Sequence, residues 1–302
     1  MKILFMGTPD FAASSLNSLY EAGFDICGVF SKTDKPVGRG MKIIETPVKK
    51  LALEHNTPVY QPSSLRDGTA MDIIRELAPD VICVVAYGKI LPCDMLDYPK
   101  YGCINIHGSI LPKYRGSAPI QWSVLNGDKD SGVTSMFMSE EMDAGDIIDT
   151  RTTPIGEKET SGELANRLMV MGGELLCDTL RKIEAGTAKR TPQDNSKATF
   201  APIITKEMCP IDWTRSSREI DCQVRGLLPW PIATTSFGAN TYKVFEVVYG
   251  ADSTDKPAGT IVSAGKDGIE VACGSGTLYI TEIQAPGGKR MKAADYLRGH
   301  KL

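Results

Sequence analysis

The chain has 302 residues, more than one hydrophobic core usually fills, so we expect two domains. Apolar residues make up 42% and charged residues 24% of it, which is typical of folded globular proteins and excludes a disordered chain. The formal net charge is −3, a sum that hides local clusters of charge. Neither a long apolar run nor a signal-peptide pattern occurs, so we predict a cytoplasmic protein with no membrane partner.

The first half of the chain alternates predicted strands and helices. Residues 2–6 predict a strand, Thr8 and Pro9 a helix start with Thr8 as the N-cap, and residues 25–31 a second strand. Residues 81–86 are continuously apolar, which is typical of a strand covered by helices on both faces. We therefore predict an α/β fold with a doubly wound, mostly parallel sheet that binds ligands at the carboxyl ends of its strands. The remaining predicted elements are a helix from Thr46, a strand at 59–60, a helix over 71–78 and strands over 103–107, 132–138 and 147–152.

The second half of the chain differs in character. Thr160 and Glu163 form a capping box, and apolar residues at helical spacing continue to Gly186. The next residues are polar, interrupted by proline and without periodicity, as in a linker. From Thr234 onward, short β-like runs alternate with glycine-centred turns, which predicts a small β-barrel. The predicted division is a first domain at 1–188, a linker at 189–205 and a C-terminal β-barrel domain at 206–302.

Several chemistries lack their sequence patterns. The segment MGTPDFAA holds one glycine where a dinucleotide-binding fold would show G-x-G-x-x-G, and no G-x-x-x-x-G-K-[ST] loop occurs. The eight cysteines form no C-x-x-C pair, and a three-histidine zinc site would have to use His55 and His300, in a polar stretch and near the chain end. We therefore expect no metal. No serine lies in a G-x-S-x-G turn, which disfavours a nucleophilic triad.

Polar side chains gather around one predicted strand end. Asn105 and His107 are two positions apart on a strand, so they point to the same face, and Pro112 follows as a breaker. Downstream, the acidic loop 139–146 brings a carboxylate within reach of the same crevice. An amide, an imidazole and a carboxylate suit acyl transfer to an amine, because they hold a developing oxyanion and move a proton. The same residues would also serve to satisfy backbone groups, and the pattern alone leaves both interpretations open.

Two segments are strongly basic. Residues 32–50 hold six Lys or Arg against two acids, and residues 287–302 hold five against one. Each is suited to a nucleic-acid backbone, although charge runs of this kind are more often simply solvated loops.

The motifs around the polar cluster carry a family resemblance. NIHGSILP at 105–112, followed by Arg115-Gly116 and Pro119, resembles the N-x-H-x-S-L-L-P…R-G…P signature of folate-dependent formyltransferases, with Ile110 in place of the usual leucine. MDAGD at 142–146 resembles their L-D-x-G-D loop. The opening GTPDFAA, the loop KPVGRGMKIIETPVK and the PWP at 229–231 are similar to members of the family that act on methionyl-tRNA, so the likeness runs nearly end to end.

The resemblance implies a fold, a reaction and a set of site residues. It implies a formyltransferase-like, Rossmann-type catalytic domain and an OB-like C-terminal barrel. It also implies transfer of a formyl group from 10-formyltetrahydrofolate to the amino group of initiator methionyl-tRNA, for translation initiation. We expect the protein to be a monomer. The implied catalytic residues are Asn105, His107 and Asp143. The implied folate-binding residues are Tyr87, Gly88, Ser109, Ile110, Leu111 and Pro112, and the implied tRNA-binding residues are Lys35, Arg39 and Lys42.

Three other functions compete with this one. A formyltransferase for a small amine such as an amino sugar would share the catalytic motifs but would not need the basic loop or the barrel. A non-catalytic RNA-binding module would retain the fold without binding folate. Hydrolysis of the formyl donor by water would release formate without any acceptor.

Overall fold

The computed structural model describes residues 1–37 and 42–301, and of Val37 and Lys42 it describes the backbone alone. The chain forms two compact units, each built from three stretches of sequence. The first unit contains Met1–Gly116, Ser131–Thr153 and Ala165–Phe200, and the second contains Ser117–Asp130, Pro154–Leu164 and Ala201–Leu302. The boundaries predicted at 188 and 205 stay a prediction.

Strands and helices alternate through the first two thirds of the chain. The strands are β1 (Lys2–Gly7), β2 (Asp25–Phe30), β3 (Lys35–Val37), β4 (Lys42–Ile44), β5 (Val59–Tyr60), β6 (Val81–Val85), β7 (Cys103–His107), β8 (Arg115–Gly116), β9 (Asp130–Phe137) and β10 (Ile147–Pro154). The helices are α1 (Asp10–Glu21), α2 (Pro47–Glu54), α3 (Thr69–Leu77), α4 (Cys93–Leu96), α5 (Pro119–Leu125) and α6 (Ser161–Glu184). Among the described residues, no helix is long and apolar enough to cross a membrane.

Seven of these strands form one sheet in the order β10-β9-β7-β6-β1-β2-β5. Strands β5, β2, β1, β6 and β7 are mutually parallel, and β9 runs antiparallel to β7. Strand β1 lies between β2 and β6, so the strand order reverses beside it. The carboxyl ends of β1, β6 and β7 therefore meet at one edge of the sheet, where a doubly wound fold binds its ligands.

The central strand β6 shows why this sheet forms. All five of its residues are buried, and Ile82 and Val84 pack with Leu4 of β1 and Ile74 of α3 in one apolar cluster. The predicted strand with two covered faces is thus confirmed.

Two predicted helix starts have different outcomes. The Thr46 side chain accepts a hydrogen bond from the Lys49 N–H at 3.1 Å, so the predicted N-cap of α2 is confirmed. The N-cap predicted at Thr8 is wrong, because Pro9 occupies that position in α1 and no side chain caps the helix. The Thr8 hydroxyl instead donates to the Tyr87 carbonyl oxygen at 3.3 Å, which ties the end of β1 to the segment after β6.

The C-terminal part of the chain is mainly antiparallel β-structure. Its elements are β11 (Phe200–Ala201), α7 (Ser217–Gly226), β12 (Thr234–Phe237), β13 (Asn240–Tyr249), β14 (Ile261–Gly265), β15 (Gly268–Ala272), β16 (Thr277–Gln284), β17 (Arg290–Lys292) and α8 (Ala293–Leu297). Strands β12-β13-β16-β15-β14 form a curled sheet in that order, with β17 paired to β16. The predicted fold class, a mostly parallel α/β sheet followed by a domain of antiparallel strands, is confirmed.

Helix α5 belongs to the core of the second unit, although it lies early in the sequence. Its Trp122 and Leu125 pack against a buried cluster that includes Ile220 and Val224 of α7 and Ile280 of β16. The second unit therefore gathers apolar side chains from well-separated parts of the chain.

A buried ionic group in the second unit joins the segment before α6 to α7. The Asp221 carboxylate is 2% exposed and accepts from Arg225 Nε at 2.9 Å and from the Tyr249 hydroxyl at 3.3 Å. Lys158 Nζ lies 3.5 Å from its other oxygen, and Arg225 Nη1 also donates to the Glu159 carbonyl at 3.0 Å. Asp221 thus balances the charge of a guanidinium that is itself largely buried.

Replacing Asp221 with alanine should destabilise the second unit by about 3 kcal/mol, because the Arg225 charge would stay buried without its partner. Urea unfolding followed by tryptophan fluorescence measures this, since Trp122, Trp213 and Trp230 all lie in that unit. Asp255→Ala, which removes an exposed carboxylate, is the control and should unfold like the wild type. Equal unfolding free energies for the two variants would show that Asp221 does not stabilise the buried Arg225 charge.

Candidate active site

Strand β7 carries two polar side chains at its carboxyl end. It lies between β6 and β9, with Val84 paired to Asn105 and Thr134 paired to His107. Asn105 and His107 are two residues apart and so share one face of the sheet. Asn105 Oδ1 is buried and has no hydrogen-bond partner within residues 1–37 and 42–301. The amide therefore presents an unpaired polar atom at the edge where the fold binds ligands.

The His107 ring is held from both nitrogens. Nε2 lies 2.8 Å from the Tyr114 carbonyl oxygen, and Nδ1 lies 3.7 Å from Asp143 Oδ2. Because a carbonyl oxygen only accepts hydrogen bonds, Nε2 must carry the hydrogen. In the neutral ring, Nδ1 then has a lone pair on the side of the carboxylate. The Asp143 carboxylate therefore faces the acceptor nitrogen of the ring.

Asp143 reaches this position through an unusual backbone conformation. Its φ is +53°, in the left-handed region, and its Oδ2 accepts a hydrogen bond from the Gly116 N–H at 2.8 Å. Gly145 follows where a side chain would collide with the Phe137 carbonyl oxygen, so only glycine fits this close approach. The loop after β9 therefore folds tightly back and brings one of its several carboxylates to His107.

Arg115 precedes Gly116, the residue whose N–H binds Asp143, and is 2% exposed. It donates from Nε and Nη2 to Gln193 Oε1, at 3.2 and 2.8 Å, and from Nη2 to Asn195 Oδ1 at 2.7 Å. Gln193 and Asn195 lie in the polar stretch predicted to be a linker, so they are not among the predicted site residues. No periodicity or motif in that stretch marks them as site residues.

The residues predicted to line the folate site follow β7 in a fixed loop. Ser109 is 1% exposed, and its hydroxyl donates to the Lys113 carbonyl at 2.6 Å. The Thr134 hydroxyl of β9 donates to the Ser109 carbonyl at 2.7 Å and accepts from the Leu111 N–H at 3.2 Å. Leu111 is buried, whereas Ile110 and Pro112 are half-buried. The loop therefore has a defined shape beside His107.

Tyr87 and Gly88, the other two predicted folate residues, follow β6 at the same sheet edge. Tyr87 is 1% exposed, its hydroxyl has no partner among the described residues, and burial raises its pKa to about 12. Gly88 has φ of +71°, and a side chain there would collide with the Lys32 ammonium group. The positive φ favours glycine at this position, whereas the end of the flexible Lys32 side chain can move aside.

The predicted tRNA-binding residues belong to the segment after β2. Lys35 is exposed on β3 and pairs with Ile44 of β4. Lys42 is on β4 and pairs with Val37, and Arg39 lies outside the described residues.

The remaining histidines take part in ring stacking. His55 stacks on Tyr20 with ring centroids 3.9 Å apart, and His300 stacks on Tyr296 at 4.2 Å. Within residues 1–37 and 42–301, no group of three or more His, Cys, Asp or Glu side chains is arranged to hold a metal ion.

Family models match both parts of the chain. The formyl transferase model matches residues 1–180, and the model of the formyl transferase C-terminal domain matches residues 203–301. The chain therefore belongs to the formyl transferase family.

Full-length relatives make the likeness more specific. The methionyl-tRNA formyltransferase of Clostridium novyi (strain NT) is 45% identical over 303 residues, which cover 100% of this chain and 98% of that protein. The enzyme of the same name from Alkaliphilus oremlandii (strain OhILAs) is 46% identical over 302 residues, covering 100% of this chain and 97% of that protein. The solved N-formyltransferase from Helicobacter canadensis, in complex with folinic acid and dTDP-3-aminofucose, has a TM-score of 0.68 at 18% identity and covers 93% of this chain and 99% of that chain. That last likeness shows the fold alone.

Replacing Tyr87 with phenylalanine should leave the protein at least as stable as the wild type, because the lost hydroxyl is buried without a partner. Tyr20→Phe is the matched control, since its hydroxyl bonds Thr57 Oγ1 at 2.7 Å and its loss should cost about 1 kcal/mol. Thermal unfolding of the two variants without ligand measures the difference. A Tyr87→Phe protein that is the less stable of the two would show that the hydroxyl has a partner.

Proposed function

We propose that the protein transfers a formyl group from 10-formyltetrahydrofolate to the free amino group of the methionyl moiety of methionyl-tRNA(fMet), for translation initiation. The observation that carries this proposal is the 45–46% identity, over the whole chain, to relatives named methionyl-tRNA formyltransferase. The arrangement of polar groups at the end of β7 supports it, because an amide, an imidazole and a carboxylate suit acyl transfer to an amine.

Asn105 and His107 have different catalytic roles, which follow from the hydrogen bonds that each side chain can make. The half-buried Asn105 amide stabilises the negative charge that develops on the formyl oxygen as the amine attacks. His107 has its Nε2 hydrogen directed at Tyr114, so the unprotonated Nδ1 is the atom suited to receive the proton that the attacking amine loses. Asp143 stabilises the resulting imidazolium and keeps the ring oriented. When the bond between the formyl carbon and N10 breaks, Nδ1 gives that proton to N10 of the leaving tetrahydrofolate, so the imidazole returns to its neutral form and no covalent bond to the protein is required.

The folate-binding role of Tyr87, Gly88 and the Ser109–Pro112 loop rests on their place at the edge of the sheet. They follow β6 and β7, and unpaired buried polar atoms of Tyr87 and Asn105 fit a ligand with hydrogen-bonding groups of its own. When bound, 10-formyltetrahydrofolate supplies the formyl group. The loop, held by Thr134, positions that group and excludes water from it.

The acceptor tRNA contacts the basic residues near β3 and β4. Lys35 is exposed there, and Lys42 and Arg39 extend the same positive segment. Arginine and lysine suit this role because they neutralise phosphates, and arginine also binds base edges through two parallel hydrogen bonds. We further infer that the protein acts as a monomer in the cytoplasm, where charged tRNA is made and used.

Purified protein should transfer labelled formyl from 10-formyltetrahydrofolate to charged initiator tRNA much faster than to charged elongator methionyl-tRNA. An amino-sugar nucleotide offered in place of tRNA should not be formylated. With no acceptor present, no free formate should be released. Transfer to the sugar instead would replace the proposed acceptor, and release of formate alone would make the protein a hydrolase.

Asn105→Ala and His107→Ala should each lower kcat about 100-fold or more, because each removes a group that acts on the reacting atoms. Folate binding, followed by fluorescence quenching, should persist in both variants. His55→Gln is the matched control, since this ring stacks on Tyr20 away from the β7 end, and it should keep wild-type activity. Near-normal turnover in His107→Ala would remove the imidazole from the mechanism.

Arg39→Ala should weaken methionyl-tRNA binding and reduce the salt dependence of the affinity by about one phosphate contact. Filter binding at several salt concentrations measures both effects. Arg75→Ala removes an equal charge from the exposed face of α3, where Arg75 pairs with Asp72, and should change neither quantity. A variant that binds tRNA with the wild-type affinity and salt slope would exclude Arg39 from the interface.

A further inference from the structure

The stretch 191–199 bonds to both of the loops that hold the His107 ring. On one side, Thr191 exchanges two backbone hydrogen bonds with Ile147, at 2.8 and 2.9 Å, just after the Asp143 loop. On the other side, Thr199 Oγ1 accepts from the Tyr114 N–H at 2.9 Å. This stretch is therefore attached to the loop that bears Asp143 and to the residue whose carbonyl binds His107.

Gln193 lies between these two attachments, and its amide can take only one orientation. Its Oε1 receives two N–H groups from Arg115, which has no acceptor of its own. The Gln193 NH2 group must then point the other way. It donates to the carbonyl oxygens of Asp143 and Gly145, each at 2.8 Å. One side chain thus binds the backbone of the Asp143 loop at two points.

Asp143 depends on such support. Its left-handed φ is unfavourable for a residue with a side chain, so the loop keeps this conformation only where its surroundings hold it. The Gly116 N–H holds the carboxylate, and the Gln193 amide holds the backbone that carries it. The two contacts together fix both the side chain and the backbone of Asp143 beside His107.

We propose that Gln193 is a positioning residue for the reaction: its amide keeps Asp143 in the conformation that brings its carboxylate to His107. Gln193 itself touches neither substrate, and it acts through Asp143. The assignment rests on the proposed function for its effect on turnover, whereas its effect on the contact between Asp143 and His107 is independent of any substrate.

Gln193→Glu is the sharpest test, because it changes one group and keeps the shape of the side chain. The new carboxylate still accepts the two hydrogen bonds from Arg115, so the Arg115 guanidinium keeps its acceptor. The NH2 group is replaced by an oxygen that repels the carbonyls of Asp143 and Gly145. We expect kcat to fall about 10- to 100-fold, with little change in KM for folate or tRNA, since a small displacement of a catalytic group lowers the rate without weakening binding.

Asp194→Asn is the matched control. It exchanges an acid for an amide at the next residue, on an exposed side chain whose Oδ1 accepts from the N–H and hydroxyl of Ser196. The asparagine oxygen keeps these bonds, and kcat should stay at the wild-type value. Gln193→Met, which removes both hydrogen-bonding groups without adding a charge, is the second variant. Thermal unfolding of all three proteins shows whether each is folded at the assay temperature.

A measurement without substrate tests the positioning role of Gln193 separately from the proposed formyl transfer. The chain has three histidines, so the side-chain nitrogen resonances of His107 can be assigned in a 1H–15N spectrum with the help of His107→Ala. These resonances should move in Gln193→Glu and Gln193→Met and stay in place in Asp194→Asn. Folded Gln193 variants with wild-type kcat, or with an unmoved His107 signal, would overturn the positioning role. Wild-type protein that forms no formyl-methionyl-tRNA, with a His107 signal that still responds to Gln193, would refute the proposed function alone.

Discussion

The imidazole of His107 is held between a carbonyl oxygen and a carboxylate, and the candidate chemistry depends on this contact. Tyr114 determines that Nε2 carries the hydrogen, so Nδ1 faces Asp143 with its lone pair. The other tautomer of the same ring would carry its hydrogen on Nδ1, facing Asp143, and would set the Nε2 lone pair against the Tyr114 carbonyl oxygen. The sheet supports the arrangement, because β7 is paired on both sides and holds the His107 backbone in place.

Charge near Asp143 is arranged so that its carboxylate stays available to the ring. Arg115 is buried close to the same loop, yet its guanidinium bonds the neutral amide oxygens of Gln193 and Asn195, with the exposed Glu141 as its ionic partner at 3.6 Å. Among the described residues, His107 is the one basic side chain with a nitrogen within 4 Å of the Asp143 carboxylate. The neutral amides of Gln193 and Asn195 thus accept hydrogen bonds from Arg115, while the Asp143 carboxylate accepts from the Gly116 N–H.

Local sequence patterns predicted most of the fold because they report local physics. The apolar run of β6 and the threonine that caps α2 depend on burial and on short-range hydrogen bonds, and both are confirmed. The cap at Thr8 failed because its hydroxyl has a tertiary partner in Tyr87, which no local pattern reveals. The membership of α5 in the second core is likewise not visible locally, because an apolar helix face does not specify which core it joins.

For the site, the sequence by itself determined that Asn105 and His107 share a strand face, because alternation along a strand is a local property. It also placed several carboxylates in the loop after β9, and the family resemblance singled out Asp143. Only the tertiary structure decided that the Asp143 carboxylate lies beside Nδ1, that Tyr114 supplies the opposite contact, and that Gln193 holds the loop. These contacts join residues that are 7 to 50 positions apart in the chain. They depend on where the folded backbone brings polar atoms together, which hydrophobic periodicity and local propensity do not record.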